Sequence, residues 1–247
     1  TRHTQTTKRR PSHPPPPPPP PPRYPSRKPR QEVEPPVFRA MAAQSVVLDP
    51  APNPKEAVQE ALLTRRTVNE FEESLPEGWE HSVRRAVEAA THAPNHRRTE
   101  PWRFHLLGAK AASRVCALNA RLVADEKGAL AADEKLRRWK KMPGWIVVTQ
   151  VVGEDGEAAL VDPMGVVRED YAACCCAVQN LCLSLHAEGL GTKWTTGPVN
   201  FDPMFGPTAG IPDGERVVGT IWFGKPAKDP TTPKKKLSVD DVLILHD

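Results

Sequence analysis

Apolar residues recur at helical spacing in five stretches of the chain. Residues 55–64 place Val58, Ala61 and Leu62 on one face, and residues 79–91 place Trp79, Val83, Ala86, Val87 and Ala90 in register up to Pro94. Residues 111–123 are helical through Val115, Leu118 and Leu122, and residues 131–141 form a more polar helix. Residues 171–188 give the strongest helix, with the stripe Tyr171, Cys175, Val178, Cys182 and Leu185 and with Gly189 as a natural C-cap. Between these lie strand patterns. Residues 103–108 form a short strand. Residues 145–152 form a nearly continuous β-branched run that suits a strand covered on both faces. Residues 191–197 make a Thr-rich strand or turn, residues 216–224 another buried strand, and residues 242–246 a last short one. Residues 153–168 read as a loop fit for a lid. No βαβ rhythm and no internal repeat organises these elements. The pattern predicts an α+β fold, one sheet with long helices packed on it.

Composition divides the chain of 247 residues. Residues 1–40 hold 14 of the 29 prolines, nine of them in the run from Pro14 to Pro22. That composition cannot bury a core and predicts extended polyproline II and disorder, with a single folded domain over residues 41–247. The tail carries nine Lys/Arg against two acids; its +7 against a total of +4 leaves −3 on the rest. The basic balance therefore belongs to the tail, and charge gives no argument for a nucleic-acid partner. Two readings of the tail stay open. It is an Arg-rich organelle transit peptide, or it is a gene-model artefact with Met41 as the real start. A polyproline ligand for SH3- or WW-type modules is a third and weaker reading. The expected location is the cytoplasm, or a plastid or mitochondrion if the tail is a transit peptide. No run reaches the roughly 18 apolar residues of a membrane span. Five cysteines, three of them adjacent, fit a reducing compartment rather than a disulfide framework.

Candidate chemistry lies in three segments. Residues 92–104 put two prolines, two imidazoles, an amide, three arginines and a tryptophan between a helix and a strand, more polar groups than a turn requires. Pro94 separates His92 from His96 and no third ligand of the right kind sits nearby, so a zinc site is rejected. Arg65, Arg66 and Thr67 close the first helix. Two guanidiniums and a hydroxyl suit a phosphate, and a solvated basic helix end is the plain alternative. Lys193, Trp194, Thr195 and Thr196, flanked by glycines, offer a charge, a flat face and two hydroxyls. Neither a G-x-G-x-x-G fingerprint nor a P-loop is present. Cys174, Cys175 and Cys176 point about 100° apart on a helix and cannot converge on one ion, so they are expected to be structural.

Together these segments resemble the FMN-dependent nitroreductase family, in its compact NAD(P)H nitroreductase branch. The shared order is Arg65-Arg66-Thr67, then Ala93-Pro94-Asn95-His96 with Pro101-Trp102-Arg103-Phe104, then a small-residue helix from Ala172 to Gly191. The resemblance covers roughly residues 55–230. It implies a central mixed sheet flanked by long helices, in an intertwined homodimer with FMN between the subunits. It implies a ping-pong reaction: NAD(P)H gives a hydride to flavin N5, leaves, and is replaced by a nitroaromatic, a quinone or a similar small acceptor. The flavin carries the chemistry, so no protein side chain is expected to be catalytic. Arg65, Arg66 and Thr67 would hold the phosphate, ribityl chain and pyrimidine edge. His92 and His96 would reach FMN, one of them from the partner subunit, and Lys193, Trp194, Thr195 and Thr196 would line the ring or its phosphate end. At two places the chain departs from the family: Asn69 and Thr195 stand where arginines are common, and Lys193 offers to replace the second cation. Some relatives do other flavin work, such as sensing or fragmenting the flavin, or dehalogenation; that reading is the alternative.

Overall fold

The computed structural model describes residues 53–152, 166–232 and 235–246. The proline-rich tail and most of the expected lid lie outside them. Helix α1 (Pro54–Thr64) and helix α2 (Trp79–Thr91) come first, followed by strand β1 (Trp102–Leu106) and helices α3 (Ala109–Lys127) and α4 (Ala129–Trp139). Strand β2 (Gly144–Val151), helix α5 (Val166–Ala187), strand β3 (Gly191–Thr195), the short helix α6 (Phe205–Ala209) and strand β4 (Glu215–Gly224) complete the order.

The strands form one sheet in the order β1-β2-β4-β3. Every ladder in it is antiparallel. Among the described residues, the parallel pairing expected of a mixed sheet is confined to one bridge, Thr67 with Thr192. Strand β2 is buried along almost its whole length because both sheet faces are covered, which is why its sequence runs apolar instead of alternating. On one face α2 and α5 bury Val83, Ala86, Ala90, Val178, Leu181 and Leu185 against Ile146, Val148 and Phe223. On the other, α3, α4 and α6 bury Val115, Trp139 and Phe205 against Trp145, Val147 and Trp222. The sheet and its covering helices are the α+β layering that the pattern predicts. A side chain at Gly144 would put its Cβ 2.5 Å from the Phe223 ring, so the close approach of β2 and β4 requires glycine there.

Three details differ from the sequence reading. The segment 242–246 is not a strand: Val242, Leu243, Ile244 and Leu245 are all exposed, and its apolar pattern finds no sheet partner. Val58 and Leu62 are exposed too, and α1 buries no residue. On α5 the buried stripe runs through Cys174, Ala177, Val178, Leu181, Cys182 and Leu185, while Tyr171 and Cys175 sit at its margin. Helix α5 packs on α2 as well as on the sheet, so its buried face is wider and rotated from the line that sequence spacing suggests. Gly189, at φ +77°, ends α5 as expected; its amide donates to the His186 carbonyl and that of Leu190 to the Leu185 carbonyl.

The three adjacent thiols diverge. Cys174 is buried, Cys175 half-buried and Cys176 exposed. Burial, then the nearby Asp170 carboxylate, pushes the Cys174 thiol up to about 12. A thiol reagent on the native protein is therefore expected to modify Cys176 first, with Cys174 and Cys182 reacting only after unfolding. Mass mapping of the labelled peptides checks this, and fast native labelling at Cys182 would contradict it.

Between α2 and the end of α5, Arg85 Nε and Nη2 donate to Glu188 Oε1 and Oε2, both at 2.5 Å. The bidentate guanidinium holds the Glu188 carboxyl at about 2, below its usual 4.5. A carboxyl depressed in the folded state stabilises above its unfolded value and loses that contribution as pH falls towards the folded one. The stability advantage of the native chain over Glu188→Gln is thus expected above pH 4.5 and to fade as pH approaches 2. The pair is exposed, so added salt shrinks the advantage. Urea midpoints of both proteins, above and below that window, measure it.

Candidate functional site

Helix α1 ends at Arg65, whose extended backbone turns the chain towards β3. The Val68 amide donates to the Thr192 carbonyl at 3.0 Å, so the Arg65-Arg66-Thr67 segment lies along the β3 edge. Arg66 Nη1 donates to the Leu63 and Arg65 carbonyls at 2.6 and 2.8 Å, capping the helix end from its own side chain. One edge of its guanidinium is thereby fixed. Its Nε is buried and has no hydrogen-bond partner. Burial, and then Arg65 and Arg66, hold the His186 imidazole below its usual value, which puts both guanidiniums beside the end of α5. Thr64 Oγ1 meets His186 Nε2 there at 2.9 Å.

Strand alternation splits the third segment between the two sheet faces. Trp194 lies on the α2/α5 side, its indole over Gly219, where a Cβ would strike Trp194 Nε1. Lys193 lies on the α3/α4 side, its ammonium 5.7 Å from the centre of the Trp222 ring and donating to Asn69 Oδ1 at 2.7 Å. Asn69 and Lys193 are thus a bonded pair; an arginine at position 69 would set two cations against each other. Thr195 Oγ1 donates to the Thr220 carbonyl at 3.2 Å, and Thr196 is exposed.

Among the described residues, the non-glycine positions of positive φ all lie in residues 92–104. Arg97, Arg98 and Glu100 have φ of 55°, 53° and 47°, a left-handed region that costs a side-chain-bearing residue about 1 kcal/mol or more each. The surrounding contacts hold this shape. Thr99 Oγ1 donates to Asp170 Oδ1 at 2.6 Å, Asp170 is buried in the second turn of α5, and Ala93 is buried beneath the loop. His92 and His96 are exposed. Asn95 Oδ1 is buried without a donor. Asp170 and Thr99 escaped the sequence reading because nothing in one sequence shows that residues 71 apart meet. Asn95 stood inside the motif, but only burial separates it from its neighbours.

Arg65 and Arg66 therefore stand beside the C-terminal end of α5, while the loop that carries Asn95 and His96 is tied through Thr99 to Asp170 near its N-terminal end. The two anchor points on that helix, Asp170 and His186, are sixteen residues apart, about 24 Å at roughly 1.5 Å per residue. Guanidiniums and a hydroxyl at one end, with an amide and imidazoles at the other, suit a ligand bearing a phosphate and a polar ring edge. The unpartnered Arg66 Nε and Asn95 Oδ1 are consistent with that chemistry.

Comparison with known proteins agrees with the fold. The family model described as "Nitroreductase family" matches residues 62–225, and the chain belongs to that family. A Bacillus subtilis protein named "Putative NAD(P)H nitroreductase YfhC" is 27% identical over 183 residues, 72% of this chain and 89% of that protein. A crystal structure of a nitroreductase-like family protein from Bacillus cereus superposes with a TM-score of 0.61 at 26% identity, covering 84% of this chain and all of that one. A nitroreductase structure from Desulfovibrio desulfuricans, described in complex with FMN, has the same fold at 21% identity, with a TM-score of 0.57 and coverage of 79% and 98%.

Proposed function

We propose that this chain is an FMN-dependent NAD(P)H oxidoreductase that works as a homodimer, in ping-pong fashion, on a nitroaromatic, quinone or similar small acceptor. The observation that carries the reading is the division of the polar set between the two ends of α5. In the homodimer the histidine loop of one copy closes over the guanidinium end of the other. Exposed apolar side chains on α1 and in residues 237–245 offer surface for such an association. The FMN in the related D. desulfuricans structure and the name of the B. subtilis relative support the cofactor and the donor.

Arg65, Arg66 and Thr67 bind the phosphate and the ribityl chain and set a cation beside the pyrimidine edge. Trp194 gives the ring a flat neighbour and Thr196 follows it, while Lys193 and Thr195, on the opposite sheet face, hold the strand in place through Asn69 and the Thr220 carbonyl. His92 and His96 close over the flavin from the partner copy. FMN, when bound, supplies a ring that takes a hydride at N5 and passes electrons on. The protein's part is position, charge and exclusion of water.

The test is the visible spectrum of the purified protein before and after anaerobic NADPH, and then NADH. A bound flavin that bleaches supports the reading. A flavin that stays oxidised with both donors favours flavin sensing, fragmentation or dehalogenation. A colourless protein that FMN does not reconstitute overturns it.

A further inference from the structure

The C-terminal half of α4 and the turn after it read Lys135-Leu-Arg-Arg-Trp-Lys-Lys141, and the fold brings Lys193 from β3 to the same corner. The Lys135 ammonium stands 5.9 Å from the centre of the Trp139 ring, and that of Lys193 stands 5.7 Å from the centre of the Trp222 ring. Those two rings meet edge to face with centroids 5.0 Å apart. Arg138 lies three positions after Lys135, hence on the same side of the helix. Among the described residues, no ion pair engages Lys135, Arg138 or Lys193; Glu134, four positions before Arg138, is exposed and makes none with it. Trp139 Nε1 and Trp222 Nε1 are buried donors without an acceptor. The corner thus holds three cations and two unused N–H groups against one acceptor, Asn69 Oδ1.

Burial, then the neighbouring cations, holds Lys135 and Lys193 below the usual lysine range; Arg138 acts on both, Lys127 also on Lys135, and Lys135 also on Lys193. Crowded like charges cost free energy that a bound anion returns. The macrodipole explains a basic helix end, but not the convergence of a strand lysine on it. The helix-end guanidiniums of Arg65 and Arg66 lie beside α5, across the sheet from this corner, and are a separate group.

We propose that Lys135, Arg138 and Lys193, on the sheet face opposite the flavin guanidiniums, form an anion subsite for the 2′-phosphate of an NADPH that reaches round the β3 edge, and so set a preference for NADPH over NADH. The inference rests on the flavoenzyme reading for its place in the reaction. A phosphomonoester carries close to two charges near neutral pH, the kind of load that three cations without a carboxylate partner accept. Three cations at one corner of a body with net charge −3 suit a single small ligand rather than a nucleic-acid backbone.

Binding of 2′,5′-ADP and of 5′-AMP to the full chain, measured by calorimetry, tests the subsite without needing the flavin. The expected result is 2′,5′-ADP bound at least about tenfold more tightly than 5′-AMP, with that margin lost in Lys135→Gln/Arg138→Gln. In the flavin-loaded enzyme the same double variant should raise KM for NADPH about tenfold or more, leaving kcat and KM for NADH near wild type. The single change of the exposed Arg138 to Gln serves if the double variant does not fold. Equal binding of the two nucleotides, no binding of either, or an unchanged margin in the variant overturns the subsite. A protein that discriminates the nucleotides yet takes up no FMN overturns the flavoenzyme reading and leaves the subsite standing.

Discussion

Arg66→Ala is expected to weaken FMN binding about 10- to 100-fold, the effect of losing charge-assisted hydrogen bonds of about 1.5–3 kcal/mol. Arg66 is singled out because its guanidinium is already half committed. Nη1 caps the Leu63 and Arg65 carbonyls, which fixes the plane of the fork and leaves the buried Nε in search of an acceptor. A pre-oriented donor loses little entropy when a phosphate oxygen arrives. Arg66→Lys separates charge from geometry: it keeps the cation and loses Nε, so its affinity should fall between the two. The capped carbonyls lie at an exposed helix end where water replaces the donor, so thermal stability should change far less than flavin affinity. Flavin fluorescence titration measures the effect. An Arg66→Ala dissociation constant within about twofold of wild type would remove Arg66 from the site.

Trp222→Ala is expected to cost about 3–5 kcal/mol of stability. Trp222 is 3% exposed near the C-terminal end of β4, and its ring meets Trp139 at 5.0 Å and Trp145 at 5.3 Å, both edge to face. Removing it opens a cavity under α4, breaks two aromatic contacts and takes away the surface on which the Lys193 ammonium rests. For a folded body of this size, roughly 2–4 °C per kcal/mol lowers the melting temperature by about 6–20 °C. Trp222→Phe should cost markedly less, because the indole N–H makes no hydrogen bond that phenylalanine would lose. Thermal denaturation followed by near-ultraviolet circular dichroism reads both. A shift of under about 2 °C in the alanine variant would mean that the tryptophan cluster is not a packing centre.

The two results would separate the layers of the molecule. Arg66 acts at an edge where the fold leaves a donor unused, and Trp222 acts inside the core that keeps the sheet in place. Lys193 touches both concerns. It offers a cation where an arginine is missing, and its bond to Asn69 suits the first departure from the family pattern, while Thr195, the second, bonds the Thr220 carbonyl instead.

What the sequence by itself determined is whatever repeats at short range. Helical spacing marked α2 through Trp79, Val83, Ala86 and Ala90, and the apolar run of β2 announced burial on both faces before any partner was known. The order of the Arg-Arg-Thr, Ala-Pro-Asn-His and glycine-flanked segments carried the family. Only the tertiary structure decided how those segments divide. Neighbours on a strand point to opposite faces, so Lys193 and Trp194, adjacent in sequence, stand on opposite sides of the sheet. A helix of 22 residues separates what it touches at its two ends, so α5 keeps Arg65 and Arg66, beside His186, away from the Asn95–His96 loop tied at Asp170. The apolar run 242–246 stayed out of the sheet because a strand pattern becomes a strand only where another edge accepts its hydrogen bonds. Local periodicity fixes which residues share a face of an element. Which element that face meets depends on contacts between residues far apart in sequence, such as Thr99 with Asp170 and Asn69 with Lys193.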